Sequence, residues 1–195
     1  MNQKIKPDPP IISFGSQAEW REWLEQNHTL ESGIWLQFYK KGSGTPSVSY
    51  AQALDEALCH GWIDGQLKRG DENFYLQKFT PRRKKSMWSK RNIEHIARLE
   101  QDGKMAPPGW KEVEAARADG RWDSSYDSPG NMTIPEDLLI ELSKEPASLA
   151  FFESLNRANK YAISWRLQSA GKPEIREKRL KSILEMMAKG EKFHP

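Results

Sequence analysis

Apolar positions in the first 122 residues switch between helical and alternating periods, whereas beyond residue 133 only the helical period remains. Residues 1–13 carry Pro7, Pro9 and Pro10, a density that blocks helix and favours an extended arm. Ser16 and Glu19 form a capping-box pattern ahead of Trp20, Trp23 and Leu24 at helical spacing. Residues 34–41 set Ile34, Leu36 and Phe38 against Trp35, Gln37 and Tyr39, which predicts a strand. Ser49 and Gln52 open a second helix with Ala53, Leu54, Ala57 and Leu58 on its apolar face, and Gly61 is placed to stop it. Residues 62–68 and 73–79 predict two strands joined by a turn at 69–72, the second ended by Pro81. Ser86 or Ser89 caps the next helix, with Ile93, Ile96, Ala97 and Leu99, which ends near Gly103. Pro107 and Pro108 begin another through Val113 and Ala116, stopped by Gly120.

The small, polar, turn-rich residues 123–132 predict a linker. After it, Thr133 is placed to cap a helix bearing Leu138, Leu139 and Leu142. One long helix over 148–167 puts Phe151, Phe152, Leu155, Ala158, Ala162 and Trp165 on one buried stripe, and a last helix opens at Pro173. The expected fold class is α+β: a small antiparallel sheet with packed helices, followed by a helical C-terminal segment. The expected organisation is an arm over 1–15, an α+β domain over 16–122, a linker over 123–132 and a helical segment over 133–190.

Composition narrows the class. At 195 residues the chain is long enough to bury a core without staples. Its single Cys excludes an internal disulfide and suits a reducing compartment. No signal peptide is expected at the N-terminus and no apolar stretch approaches the roughly 20 residues that span a bilayer, so a cytoplasmic protein without membrane insertion is expected. A net charge of +3 is too small for a polycation, so attraction to an anion must come from local clustering.

The clustering lies at residues 78–91, where Lys78, Arg82, Arg83, Lys84, Lys85, Lys90 and Arg91 occur with no acid and with Phe79 and Trp88 between them. Arginines pair with phosphate and aromatics stack on bases, so this run is a candidate contact for a small anion or nucleic acid. Its alternatives are a solvated basic loop, or arginines paired with Asp64, Asp71 or Glu72. Trp62 and Asp64 set one carboxylate beside an apolar strand start, where Asp64 could orient Arg82 or Arg83 or act as a general base in an enzyme pocket around Trp62, Asp64 and Arg82, although a lone carboxylate defines no reaction class. The candidate ligand residues are therefore Trp62, Asp64, Arg82, Arg83, Ser86, Trp88, Ser89, Lys90 and Asn92. Cys59 and His60 are adjacent, but neighbours on a helix point about 100° apart, so Cys59 reads as a small core residue. His60 is placed to cap the helix end when charged. His28, His60, His95 and His194 have no metal-ligand spacing. No catalytic residue, metal or cofactor is assigned, and the reading leans to a binding protein over an enzyme.

ALCHGWIDG at 57–65, FTPRRKKSMWSKRN at 79–92, DGRWDSSYD at 119–127 and KPEIREKRLKSIL at 172–184, with GIWLQFYKKGSG at 33–44, together resemble the YdeI/OmpD-associated family, also called OmdA or bacteriocin-protection proteins. The resemblance implies a bacterial stress or envelope-protection protein, linked to tolerance of bacteriocins and antimicrobial peptides and to association with an outer-membrane porin. It implies that residues 133–189 correspond to the OmdA segment. It implies no active site, and it sets His60 where relatives commonly carry an aromatic residue. The partner it suggests is a protein, with a small anionic ligand or nucleic acid as the alternative read from the basic run.

Overall fold

The computed structural model of the chain describes residues 8–195, so part of the N-terminal arm, including Pro7, lies outside the described residues. The fold is α+β. Its described residues divide into two compact units, one of residues up to 86 with 94–116, the other of 87–93 with 117–195.

The first unit is built on a four-stranded sheet of β1 (Ile11–Ser13), β2 (Ile34–Tyr39), β3 (Trp62–Arg69) and β4 (Phe74–Pro81), in the order β1-β2-β4-β3. β2 alternates buried and half-buried residues as its sequence predicts. β3 and β4 form the expected hairpin, with a bulge between Asp64 and Leu67. Asp71 Oδ1 accepts the Asn73 and Phe74 backbone N–H groups and so shapes the turn. The sheet is mixed, because β1 runs parallel to β2. The prolines exclude helix but leave residues 11–13 free to join an edge, so the outer part of the arm is a strand.

Helices α1 (Gln17–Asn27) and α2 (Tyr50–Cys59) cover one face of this sheet. Both start as the sequence predicts: Ser16 accepts from the Glu19 N–H, and Ser49 and Gln52 form a reciprocal capping box. The face they cover, Ile34, Leu36 and Phe38, meets Trp20, Leu24, Ala53, Ala57, Trp62 and Phe79 in one core. α2 ends because Gly61 adopts φ 75°, a conformation that glycine takes without strain.

α3 (Lys90–Gln101) and α4 (Pro107–Ala118) each carry residues of both units. Ser89, not Ser86, caps α3 by accepting the Asn92 N–H at 3.2 Å. Gly109 lies so close to α2 that an added Cβ would fall 2.2 Å from the Cys59 carbonyl oxygen. That contact fixes the start of α4 against the end of α2.

The second unit packs α5 (Glu136–Ser143), α6 (Pro146–Ser154), α7 (Arg157–Gln168) and α8 (Pro173–Ala188). Leu138, Leu142, Phe152, Leu155, Ile163, Leu167, Ile183 and Met187 form its core. Three expectations change here. The helix foreseen over 148–167 is two helices, because Leu155 is extended and the Asn156 side chain caps α7 by accepting the Asn159 N–H. Thr133 does not cap α5; its hydroxyl donates to Asp127 instead. The break also rotates Trp165 out of the core stripe: it is 37% exposed and meets Tyr126 edge-on at 6.2 Å. Trp165→Ala should therefore cost less than about 1.5 kcal/mol in thermal or urea unfolding, the range of a surface aromatic pair. A loss above 3 kcal/mol, roughly the range of a core residue, would refute this placement.

Candidate functional site

The nine residues of the sequence-predicted site divide between the units. Trp62, Asp64, Arg82, Arg83 and Ser86 belong to the first, and Trp88, Ser89, Lys90 and Asn92 to the second. Trp62 is a core residue whose indole N–H donates to the His28 carbonyl at 2.8 Å. Asp64 Oδ2 accepts the Tyr50 hydroxyl at 2.8 Å. Ser86 folds the basic loop on itself by accepting the Arg83 backbone N–H at 3.0 Å. Arg83, Lys84 and Lys85 are exposed, but Phe79 and Trp88 are 0% and 1% exposed, so neither ring offers a stacking face to a base.

In the second unit, Trp88 packs against Trp122 with ring centroids 5.1 Å apart. Ser89 and Asn92 are buried at the cap of α3. Lys90 reaches the buried Asp127 at 2.7 Å. Those contacts pack Trp88, Ser89, Lys90 and Asn92 within the second unit.

Arg82 behaves differently from its neighbours. Its backbone N–H bonds the Gly61 carbonyl at 2.9 Å, which extends the β3–β4 pairing past Pro81 and turns the side chain inward, 7% exposed. It lines a cavity of about 600 Å³ in the first unit, shared with His28, His60, Gly61, Lys111 and Glu112. The close approach at Gly109 explains why this wall exists: α2 ends at His60, the chain turns at Gly61, and α4 begins with Pro107 and Pro108 against the same corner. An added Cβ on Gly61 would lie 2.9 Å from the Pro108 carbonyl oxygen.

His60 is 2% exposed, and burial lowers its pKa below the usual histidine value. It is therefore neutral near pH 7, which removes the charged-cap role expected from its position. Its Nδ1 lies 2.9 Å from the Glu56 carbonyl oxygen. A carbonyl only accepts, so Nδ1 carries the proton and Nε2 the lone pair. Nε2 is buried and has no hydrogen-bond partner among the described residues.

Cys59 is 0% exposed, and burial, reinforced by the nearby Glu56 charge, pushes its thiol up to about 12. It is a core residue, as the helix geometry suggests, and not an activated nucleophile. A second polar group lies on α2 and α3, where Asp55 Oδ1 accepts Arg98 at 2.6 Å and meets His95 Nδ1 at 3.0 Å. Among the described residues no cluster of three or more His, Cys, Asp or Glu is arranged to hold a metal. No helix among them is long and apolar enough to cross a membrane.

The cavity was legible in the sequence only at Arg82. His60 stood out for its place beside Cys59, and nothing local marked His28, Lys111 or Glu112, which the fold brings in from α1's end and from α4.

Comparison with protein families places both halves of the chain. Residues 12–112 match a domain of unknown function (DUF8412), and residues 131–190 match the family described as Bacteriocin-protection, YdeI or OmpD-Associated (OmdA). The chain therefore belongs to the DUF8412 family over its first half and is of the YdeI/OmpD-associated type through the four helices α5 to α8. No curated protein and no solved structure matches it.

Proposed function

We propose that this chain is a bacterial stress or envelope-protection protein that acts by binding rather than by catalysis. The observation that carries the reading is the OmdA match over residues 131–190, which covers all of α5 to α8. Binding is preferred because the one thiol is buried and protonated, and Asp64 is engaged by Tyr50. The nucleic-acid reading is weaker, because the two aromatics of the basic run are buried. A cytoplasmic site of action fits the sequence, and the porin link of the family is then indirect.

Expression of the chain in a bacterial host lacking a homologue tests this. Survival under bacteriocin or cationic antimicrobial-peptide challenge should rise at least about tenfold over an empty vector. Protection should persist in Asp64→Asn, which removes the only carboxylate suggested as a general base. No protection, or protection abolished by Asp64→Asn in a normally folded protein, would overturn the binding reading.

A further inference from the structure

We propose that the face of the four-stranded sheet turned away from α1 and α2 binds single-stranded nucleic acid, with Trp35, Tyr39 and Phe74 as a stacking platform and Lys68 and Lys78 as phosphate contacts. This goes beyond the protection reading and does not depend on it. Of the basic run it uses Lys78 alone.

Strand alternation builds the face. The helices cover Ile34, Leu36 and Phe38, so Trp35 and Tyr39 turn to the other side of β2. Register carries that side across the sheet: Lys78 lies opposite Trp35, Phe74 opposite Tyr39, and Lys68 opposite Leu76. Trp35, Tyr39 and Phe74 are half-buried and Lys68 is exposed. None of the three rings belongs to the core that the helices complete. Tyr39 and Phe74 meet edge-on at 6.3 Å, and Trp35 stands four residues before Tyr39, about 13 Å along the strand.

Charge follows the same division. Asp64 is the one acid in the four strands, and it lies on the helix-covered side, where it accepts the Tyr50 hydroxyl. The aromatic side therefore carries lysines without acids. The Lys68 and Lys78 Nζ atoms sit 5.9 and 5.8 Å from the centroid of the Trp35 ring. A lysine over an exposed ring is held more weakly than a base stacks, so a base can take the ring while the flexible lysine stems turn to its phosphates.

Rings on a sheet face fit unstacked bases, because a duplex hides its base faces. Two lysines are too few for an anionic membrane, which draws on basic clusters of about four to eight residues. Stacking supplies the remaining affinity for a single strand and is tolerant of sequence. DNA and RNA share this chemistry.

Fluorescence anisotropy of labelled twelve-nucleotide oligothymidylate and oligouridylate, titrated with the full chain, tests the proposal. Saturable binding to one or both is expected, at least about tenfold tighter than to a duplex of equal length and weakening as salt rises. A tighter grip on oligothymidylate would assign DNA, and one on oligouridylate RNA. Trp35→Leu keeps an apolar strand residue but no stacking ring, so it should weaken binding about tenfold or more, whereas Trp35→Phe should retain most of the affinity. Lys68→Glu changes an exposed residue, so it should leave the melting temperature unchanged while also weakening binding about tenfold. Lys84→Glu, in the exposed loop of the basic run, should weaken it less than Lys68→Glu does. No saturable binding, a duplex held as tightly as the single strands, full affinity in Trp35→Leu or in Lys68→Glu, or an equal loss in Lys84→Glu would each overturn the proposal. Binding to phosphatidylglycerol vesicles without binding to either oligonucleotide would overturn it in favour of a lipid surface.

Discussion

Trp20→Ala should cost about 3–5 kcal/mol of unfolding free energy, a large part of the 5–15 kcal/mol that holds a domain of this size folded. Trp20 is fully buried and sits at the centre of the first unit's aromatic cluster. Its ring stacks on Trp23 at 5.4 Å and meets Trp62 and Phe79 edge-on at 6.1 and 5.9 Å. Phe14 packs against it at 5.1 Å. Removing the indole takes roughly 150–250 Å² of aromatic surface out of the core and leaves a space that rigid neighbouring rings fill poorly. It also removes the indole N–H bond to the Ala53 carbonyl at 3.0 Å, which ties α1 to α2. Urea unfolding followed by circular dichroism measures the loss. Trp20→Phe keeps much of the apolar contact but not that bond, so it should retain about half of the difference. A loss below roughly 1 kcal/mol for Trp20→Ala, the range of surface positions, would mean that the cluster closes over the gap and that Trp20 is not its centre.

The features read correctly from sequence are those set by neighbours in the chain. Ser16 with Glu19 and Ser49 with Gln52 mark helix starts because capping is a bond between residues three apart. Gly61, Gly103 and Gly120 end helices with φ of 75°, 64° and 79°, a local conformational demand. The alternation of β2 survives because one of its faces is buried and the other is not.

What the sequence hides depends on distant partners. Residues 11–13 become a strand only because β2 offers an edge, with Ile11 opposite Trp35. The α6–α7 break escapes notice because both helices keep an apolar stripe in similar phase, and the signal for the break is the single cap at Asn156. Trp165 then falls on the wrong side of the break. The basic run misleads in a similar way: seven cations in fourteen positions look alike in sequence, yet pairing with Gly61 turns Arg82 inward while Arg83 to Lys85 stay in water. Composition reports the charge of such a run but not the direction of its side chains. The cavity could not be assembled from sequence at all, since His28, His60, Arg82 and Lys111 meet through tertiary packing alone.

Asp127→Ala should destabilise the second unit by about 2–4 kcal/mol, the expected cost of removing several hydrogen bonds to one charged acceptor. Asp127 is 3% exposed and lies in the stretch that looks like a linker in sequence. Lys90 reaches its Oδ1 at 2.7 Å, while Oδ2 accepts the Thr133 backbone N–H at 3.0 Å and the Gln168 side chain at 2.8 Å. The carboxylate therefore joins the start of α3, the approach to α5 and the end of α7 within one unit. Burial works to raise its pKa, but the hydrogen bonds from Lys90, Thr133 and Gln168 outweigh that and hold it well below the usual carboxylate range. A group with a depressed folded-state pKa stabilises fully above its unfolded value, about 3.9 for Asp, and loses that contribution as pH falls through the folded value. Wild-type stability should thus decline below about pH 4. Asp127→Asn keeps the shape but cannot ionise, so it should be less stable at pH 7 and converge on wild type in strong acid. Melting curves of both proteins between neutral and strongly acidic pH read the difference directly, and subtraction removes the common contributions of Asp119 and Asp137, whose pKa values are also lowered. Parallel curves across the whole range would show that Asp127 is not a charged hub, and would return residues 123–132 to the status of a simple connector.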